Sequence, residues 1–180
     1  MIALKLFHAI GVIWIATFVF PVDAVSVEDS DDFFLVGTGI YDITGPIADI
    51  NFMGYAMPQQ TGHGLHLRLR SRAFVTSEAA TNSTDTTICF VSADIGMGSD
   101  LLTFRVVERL DKLLSERKNL CKIENLSISG THTHSGPAGF LQYVLYQFTS
   151  LGFVKETFNT FVEGEGNSFF YVPTNILHFF

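Results

Sequence analysis

Thr87-Ile88-Cys89-Phe90-Val91-Ser92-Ala93 runs directly into Asp94-Ile95-Gly96-Met97-Gly98. The first seven residues are short and nearly continuously apolar, which is typical of a strand buried on both faces. The glycines that follow Asp94 indicate a loop instead of a longer strand. This stretch therefore predicts a buried strand with an acidic residue at its carboxyl end.

A helix is predicted directly after this loop. Ser99 is a favourable N-cap, and Asp100 stands in the first turn, where the helix dipole favours a carboxylate. Apolar residues then recur at helical spacing, and basic residues near Lys118 suit the end of a helix. Leu126–Gly130 reads as a second strand. The order strand, helix, strand predicts a β-α-β unit within a mixed α/β (α+β) fold.

The second strand leads into Thr131-His132-Thr133-His134-Ser135-Gly136-Pro137-Ala138-Gly139. In an extended segment, side chains two positions apart point to the same side, so His132 and His134 are expected to face one cavity. Neutral imidazoles are common zinc ligands. Two histidines in a turn-rich stretch are equally compatible with ordinary surface residues, so the spacing alone leaves both interpretations open.

The position of these residues in the β-α-β unit favours the metal interpretation. In open α/β sheets, ligands bind at the carboxyl ends of the strands. Asp94 follows the first strand, and His132 and His134 follow the second. We therefore expect three polar side chains to approach one crevice from two strands.

Composition limits the function classes. The 180 residues are enough for one domain at most, and a net charge of −7 provides no basic surface for nucleic acid. Only 16% of the residues are charged, and 18 are phenylalanine, which is unusually apolar for a small soluble domain. We expect part of its surface to pack against something else.

The chain has two cysteines, Cys89 and Cys121. Because Cys89 lies in an apolar run, it is interpreted as a small buried hydrophobic residue. Two cysteines are too few for a disulfide scaffold. A disulfide between them remains possible in an oxidising compartment.

Residues 1–24 resemble a secretory signal: an apolar core ends at a proline, and Val22-Asp23-Ala24 offers a cleavage site. The alternative is an uncleaved anchor, although the apolar run is shorter than the roughly 20 residues that span a bilayer. Residues 25–32 are expected to be a disordered mature terminus. The chain would then be secreted, or reside in the ER, the Golgi or at the cell surface. Asn82 is a plausible glycosylation site, whereas Asn125 opens a strand and is expected to be inaccessible.

The segment before the β-α-β unit is rich in turns. Residues 33–40 are expected to begin the fold, and 45–63 to form a long ordered loop. From Leu65 to Val75 apolar and polar residues alternate, which predicts a half-buried strand that places His66 on its solvated face.

The last part of the chain changes character. Residues 141–163 are apolar and aromatic, which favours a helix that packs in the core over a surface that contacts lipid. Residues 164–180 have no obvious helical period and end on Phe-Phe. They are interpreted as a tail foreign to the fold.

Several motifs, in order and correctly spaced from about residue 35 to about residue 163, resemble the amino-terminal part of the neutral (neutral/alkaline non-lysosomal) ceramidase family. They are Gly39–Pro46, Met53–Tyr55, Arg72–Phe74, Asp94–Met97 and Ser129–Gly139. The resemblance makes residues 33–163 the partial catalytic domain. With the patterns above, the expected boundaries are 1–24 for the signal, 25–32 for the mature terminus and 164–180 for the tail.

The resemblance implies a zinc-dependent amide hydrolase that splits the N-acyl bond of ceramide into sphingosine and fatty acid. His132 matches a zinc ligand, and His134 matches a catalytic-site histidine beside the zinc. His66 matches a position whose main-chain oxygen joins a structural Mg²⁺ or Ca²⁺ site. Ceramide and a membrane surface are the implied partners.

Other parts of the family's site have no match in these 180 residues. They include a serine in a Gly-Asp-Val-Ser-Pro-Asn motif, further histidine, glutamate and tyrosine zinc ligands, and an immunoglobulin-like domain. We therefore expect this polypeptide alone to be inactive. A second hypothesis is a non-catalytic secretory fragment that binds sphingolipid or the full-length enzyme, and a third is an unstable fragment without function.

Overall fold

The computed structural model describes residues 34–78, 86–114, 120–170 and 177–179. The expected signal segment 1–24, the mature terminus 25–32 and the sequon at Asn82 all lie outside the described residues. The helix expected to end near Lys118 ends at Leu113, with its C-cap at Leu114, so that expected end is wrong.

The described residues form one five-stranded sheet, a two-stranded sheet and three helices. In chain order the elements are β1 (Phe34–Asp42), β2 (Ala48–Asn51), β3 (Thr61–His63), β4 (Arg70–Glu78), β5 (Ile88–Ala93), α1 (Asp100–Leu113), β6 (Leu126–Gly130), α2 (Val144–Thr149), α3 (Lys155–Phe170) and β7 (Leu177–Phe179). The larger sheet has the strand order β6-β5-β4-β1-β7, and β2 pairs with β3.

The predicted β-α-β unit is confirmed. Strand β5 pairs in parallel with β6, so that Ala93 lies opposite Gly130 at the carboxyl ends of both strands. Helix α1 connects them, and the Ser99 hydroxyl caps it by accepting a hydrogen bond from Leu102 N at 3.3 Å. The pairs β1–β4, β4–β5 and β1–β7 are antiparallel. The fold is therefore mixed α+β, as the sequence predicts.

One expectation about β5 is wrong, because the strand is buried on one face only. Cys89, Val91 and Ala93 are fully buried, whereas Ile88 and Phe90 on the opposite face are 61% and 38% exposed. In the described part of the chain, the helices α1 and α3 pack against β6, β1 and β4 on one side of the sheet. The apolar composition of β5 therefore reflects a second face that these residues leave open.

Cys89 and Cys121 form a disulfide that joins the start of β5 to the segment before β6. Both residues are buried, as expected for Cys89, and the disulfide that the sequence left possible is formed. Nearby, Asn125 donates from its amide nitrogen to Thr87 O and to Leu120 O, both at 3.0 Å. That engagement agrees with the expectation that the Asn125 sequon is inaccessible.

The predicted strand from Leu65 begins five residues later, at Arg70. The residues before it bond to the turn that follows β1: Ile43 N donates to Leu69 O at 2.9 Å, and Leu69 N donates to Thr44 Oγ1 at 3.2 Å. Because Asp42 pairs with Arg70, the bond between Ile43 and Leu69 continues the β1–β4 ladder by one residue. The residues before Leu69 lie outside the sheet, and Leu67 is 72% exposed. The expected loop 45–63 is also partly regular, since it contains β2 and β3.

The expected helix over residues 141–163 is two helices, α2 and α3, separated at Ser150–Val154. Helix α3 passes residue 163 without a break and ends at Phe170, so the interpretation of 164–170 as a non-helical, foreign segment is wrong. Gly164 packs against Ile43, which leaves no room for a larger residue, and Phe169 is buried. Small residues thus allow α3 to lie close to β1.

None of the helices in the described residues has the length and apolar character needed to cross a membrane.

Candidate metal and active site

The backbone after β6 remains bonded to the loop after β5. Thr131 N donates to Ala93 O at 2.9 Å, and His132 N donates to Ile95 O at 3.1 Å. A Cβ at Gly130 would lie 2.9 Å from Ile95 O, so only glycine permits the two segments to approach this closely. The two strand ends are therefore joined where the histidines begin.

His132 is held in a defined orientation. Its backbone has φ of 60°, a left-handed conformation that is uncommon for a non-glycine residue, and its Nδ1 lies 2.6 Å from Gly96 O. A carbonyl oxygen only accepts hydrogen bonds, so Nδ1 carries the proton and Nε2 presents a lone pair. Metal-binding histidines are commonly oriented by such a bond from the other ring nitrogen.

His134 faces His132, as expected, but not through the alternation of an extended segment, because His132 is in a left-handed conformation. The two Nε2 atoms are 3.2 Å apart. That distance fits a hydrogen bond, and it is also close to the roughly 3.4 Å that separates two nitrogen ligands of a tetrahedral zinc. Thr133 turns elsewhere, and its hydroxyl accepts a hydrogen bond from Ser135 N at 3.2 Å.

Residues from the β2–β3 connection confine the His134 ring. Gly54 has φ of 131°, and a Cβ there would lie 2.6 Å from the ring. The Tyr55 ring packs edge-on against it with a centroid distance of 4.1 Å. His134 Nδ1 is buried and has no hydrogen-bond partner among the described residues. The site therefore contains a fixed imidazole with an unused polar atom.

Asp94 does not join the histidines, contrary to expectation. Its carboxylate receives two bonds from the Arg72 guanidinium, at 3.0 and 3.2 Å, and a third from Arg70 N at 2.9 Å. The geometry is that of a bidentate ion pair, which ties the end of β5 to β4. Among the described residues, no group of three or more His, Cys, Asp or Glu side chains could hold a metal ion.

His66 lies in the connection that precedes β4, not on a strand. It lines a cleft of about 310 Å³ together with Thr133 and Ser135 from the histidine segment and Thr44 from the turn after β1. The structure thus brings His66 close to the segment that carries the two histidines. It does not bring the three imidazoles into one cluster.

Asp42 organises the turn at the edge of this cleft. Its carboxylate accepts hydrogen bonds from Thr44 N at 2.9 Å and from Arg68 Nη1 at 3.2 Å. Burial raises the pKa of Asp42, but the hydrogen bonds from Thr44 and Arg68 and the Arg68 charge outweigh it and hold the pKa below its ordinary value. The carboxylate is therefore stable as an anion that anchors the turn.

Three contributors to the site were not identified from the sequence as site residues: Gly54, Tyr55 and Gly96. Their motifs were recognised, but their roles depend on the approach of the β2–β3 connection and the loop after β5 to the histidines. The glycines in these motifs are a weak signal, because a glycine in a sequence does not show which side chain it accommodates.

Comparison with known proteins decides the family. The family model for neutral/alkaline non-lysosomal ceramidases, amino-terminal domain, matches residues 34–172. The chain belongs to this family. The match extends across residue 163 into the second half of α3, in agreement with the helix observed there.

Individual ceramidases show the same relationship. The chain is 49% identical over 147 residues to neutral ceramidase 3 of Arabidopsis thaliana, which covers 82% of this chain and 19% of that protein. It is 45% identical over 153 residues to neutral ceramidase B of Dictyostelium discoideum, which covers 84% and 20%. The crystal structure of the Pseudomonas aeruginosa neutral ceramidase superposes with a TM-score of 0.70 at 36% identity, over 78% of this chain and 21% of that one.

The chain therefore spans about a fifth of the length of the ceramidases that it matches. Its fold corresponds to part of the ceramidase structure.

Proposed function

We propose that this chain carries part of the active site of a zinc-dependent hydrolase that cleaves the N-acyl amide of ceramide into sphingosine and fatty acid. Family membership supports the reaction class. The observation that carries the site is His132: Gly96 O holds its Nδ1 at 2.6 Å, which leaves the Nε2 lone pair free to bind a metal.

The donor set fits zinc in part. His132 would bind the ion, and His134 would lie beside it as a second ligand or as a hydrogen-bond partner, since their Nε2 atoms are 3.2 Å apart. A catalytic zinc usually takes three protein ligands, so the described residues supply one or two of them. When bound, zinc would polarise the amide carbonyl and activate a water or hydroxyl.

The remaining side chains of the site would position these groups. Gly54 and Tyr55 confine the His134 ring, so that its unused Nδ1 keeps a fixed direction. We also propose that His66 contributes its main-chain oxygen to a structural Mg²⁺ or Ca²⁺. Its place on the cleft beside Thr133 and Ser135 supports this role.

A membrane surface is the proposed setting for a lipid substrate. Helix α2 follows the histidine segment and has no charged residue. Val144 and Phe148 are 84% and 83% exposed, and Leu145 borders a pocket that also contains Gly54. An exposed apolar helix next to the candidate site would contact the bilayer in which ceramide resides. Phe148→Ser should then lower binding to phosphatidylcholine vesicles without changing zinc affinity.

Secretory delivery is also proposed. The signal-like segment 1–24 and the Cys89–Cys121 disulfide both support an oxidising compartment. Expression of the chain in cultured cells, with amino-terminal sequencing of any material in the medium, tests secretion and cleavage together. Intact residues 1–24 on cytosolic protein would contradict the proposal.

Zinc titration of the purified chain tests the site. We expect zinc binding that is weak for a catalytic site and that His132→Ala lowers at least tenfold. His66→Ala is the matched control, because this substitution keeps the main-chain oxygen and removes an exposed imidazole. Equal loss in both variants, or no effect of His132→Ala, would contradict the assignment of His132.

We further propose that the chain alone does not hydrolyse ceramide, because the described residues do not complete a three-ligand metal site. Fatty-acid release from ceramide by the purified chain, measured with and without a chelator, should equal the buffer background. Chelator-sensitive turnover would show that the missing ligands come from within these residues.

A second candidate function is a non-catalytic secretory protein that binds sphingolipid or a full-length ceramidase. The open face of the sheet favours it: Phe74 on β4 and Phe90 on β5 pair with ring centroids 6.2 Å apart and remain partly exposed. Surface plasmon resonance against a full-length ceramidase, with Phe74→Ser/Phe90→Ser as the deficient variant, separates this function from the first.

A further inference from the structure

A groove of about 550 Å³ lies between α1 and α3, and it shares no lining residue with the cleft beside the histidine segment. Its apolar lining includes Leu101 on α1 and Phe158 and Val162 on α3. Phe153 extends this surface and packs against Phe158 with a centroid distance of 5.3 Å. The groove has the size of small-molecule sites, which are commonly about 300–1,000 Å³.

The groove is rimmed by positive charge although the whole chain has a net charge of −7. Four basic side chains line it, against the two carboxylates of Glu108 and Glu163. Three of the four stand on α1 at positions i, i+4 and i+7, which places them in one row along the helix. The basic residues are Arg105, Arg109, Lys112 and Lys155.

Only part of this charge is neutralised. Arg105 pairs with Glu108 at 2.7 Å, but both side chains are more than half exposed, so solvent weakens the pair. Arg109 donates to Asn167 Oδ1 at 3.0 Å, a neutral partner. Lys112 and Lys155 make no ion pair with any carboxylate among the described residues.

Arg109 is fixed between the two helices. Its stem lies against Gly166, where a Cβ would come within 2.7 Å of Arg109 Cδ. Its Nε is buried and has no partner among the described residues. A guanidinium has five N–H donors, and only one of them is used in a described hydrogen bond. The groove therefore holds an oriented cation at its wall that can still donate to an anion.

We propose that this groove binds a single-chain fatty carboxylate, with the alkyl chain against the apolar lining and the carboxylate at Arg109, Lys112 and Lys155. The unpaired cations favour an anionic head, because a carboxylate would form charge-assisted hydrogen bonds with them that an uncharged head does not offer. A groove of this volume accommodates one alkyl chain more readily than a two-chain lipid. The site is separate from the proposed catalytic histidines and does not depend on zinc.

Calorimetric titration with dodecanoate below its micellar concentration tests the proposal. We expect saturable binding of one dodecanoate per chain, and weaker binding of dodecanol, which has the same alkyl chain without charge. Lys112→Glu/Lys155→Glu should weaken dodecanoate at least tenfold and leave dodecanol unchanged. Phe153→Ser should weaken both ligands. Lys122→Glu makes the charge change of either single substitution at a lysine outside the groove, and this variant should bind dodecanoate as the parent does.

The same titration contains the results that would overturn the proposal. Equal affinity for dodecanol and dodecanoate, or no effect of Lys112→Glu/Lys155→Glu, would show that the basic side chains do not bind the ligand. Tighter binding of dodecyl phosphate would assign the groove to a phosphate head. Loss of dodecanoate binding in Phe74→Ser/Phe90→Ser would show that the ligand binds at the sheet face and not in the groove. A change of oligomeric state in Phe153→Ser, seen by light scattering, would make a second copy of the chain the occupant.

Discussion

At the residue scale, the site depends on backbone conformations that few residues tolerate. His132 and Gly54 both have positive φ, and they bring the two imidazoles and the β2–β3 connection together. Strained backbone of this kind persists only where surrounding contacts hold it. Here those contacts include the bonds from His132 to Ile95 O and Gly96 O.

Gly54→Ala should damage the site more than it damages the fold. The new Cβ would lie 2.6 Å from the His134 ring and would displace it, so we expect zinc affinity to fall severalfold. The positive φ adds strain of about 1–3 kcal/mol in the free energy of unfolding. Zinc titration and urea unfolding measure the two effects separately.

Gly64→Ala is the matched control. Gly64 also has positive φ, at 156°, but nothing lies within 4 Å of the position of its Cβ. It should lose stability and retain zinc affinity. A parallel loss of zinc affinity in both variants would mean that backbone strain, and not displacement of His134, controls the site.

At the scale of elements, helix α3 contains a carboxyl group that destabilises the fold. Glu165 is fully buried, and neither of its carboxyl oxygens has a partner among the described residues. Burial raises the pKa of Glu165 to about 8 from its ordinary value of 4.5. The carboxyl is therefore protonated in the folded chain at neutral pH, where it would be ionised in the unfolded chain.

Glu165→Leu should stabilise the chain in a pH-dependent way. Because the folded-state pKa is raised, the folded chain loses stability as the pH increases from about 4.5 to about 8, by about 3–5 kcal/mol in total. The gain in unfolding free energy from Glu165→Leu should thus be larger at pH 8 than at pH 4. Urea unfolding at both pH values measures it.

Glu163→Leu is the control for this comparison, since Glu163 lies two residues earlier on the same helix and is exposed. It should change the unfolding free energy by less than about 0.5 kcal/mol at either pH. If Glu165→Leu gave the same gain at pH 4 and pH 8, the stabilisation would come from apolar packing and not from the removed ionisation.

The disulfide stabilises the connection between the two parallel strands. Cys89→Ala/Cys121→Ala should lower the unfolding free energy by about 3–4 kcal/mol, the chain-entropy estimate for a closed loop of this length, which spans 32 positions. Chemical unfolding under non-reducing conditions measures the loss. Equal stability of the parent with and without reductant, under conditions where reduction is verified by mass, would contradict this expectation.

At the scale of the whole molecule, the described residues leave one face of the larger sheet uncovered. Phe74, Ile88 and Phe90 stand on this face and are 37–61% exposed. Apolar surface of this extent favours association. The chain purified alone should therefore self-associate at micromolar concentrations.

Phe74→Ser/Phe90→Ser should reduce this association by removing the ring pair. Light scattering and binding of an apolar dye measure the change. Phe104→Ser is the control, because Phe104 on α1 is 55% exposed but lies on a helix away from the sheet face. An equal reduction of self-association by both changes would indicate nonspecific hydrophobic association and not an interface at the sheet.

The sequence by itself determined the β-α-β unit, the N-cap at Ser99 and the resemblance to the ceramidase family. Each depends on neighbouring residues: an apolar run, a 3.6-residue period or a contiguous motif. It also predicted that His132 and His134 face one cavity, but the left-handed backbone that brings the two rings together at His132 is held by tertiary contacts. Local patterns of this kind are read directly from the chain because the backbone geometry sets their period.

Only the tertiary structure decided the partner of Asp94, the start of β4, the disulfide, the path of α3 beyond residue 163 and the open face of β5. Each of these features depends on contacts between residues that are far apart in the sequence. Asp94 pairs with Arg72, and Leu69 N donates to Thr44 Oγ1, and neither partner is near in the sequence. An apolar strand reads the same whether its second face is covered or open, since burial depends on what packs against it and not on its own composition.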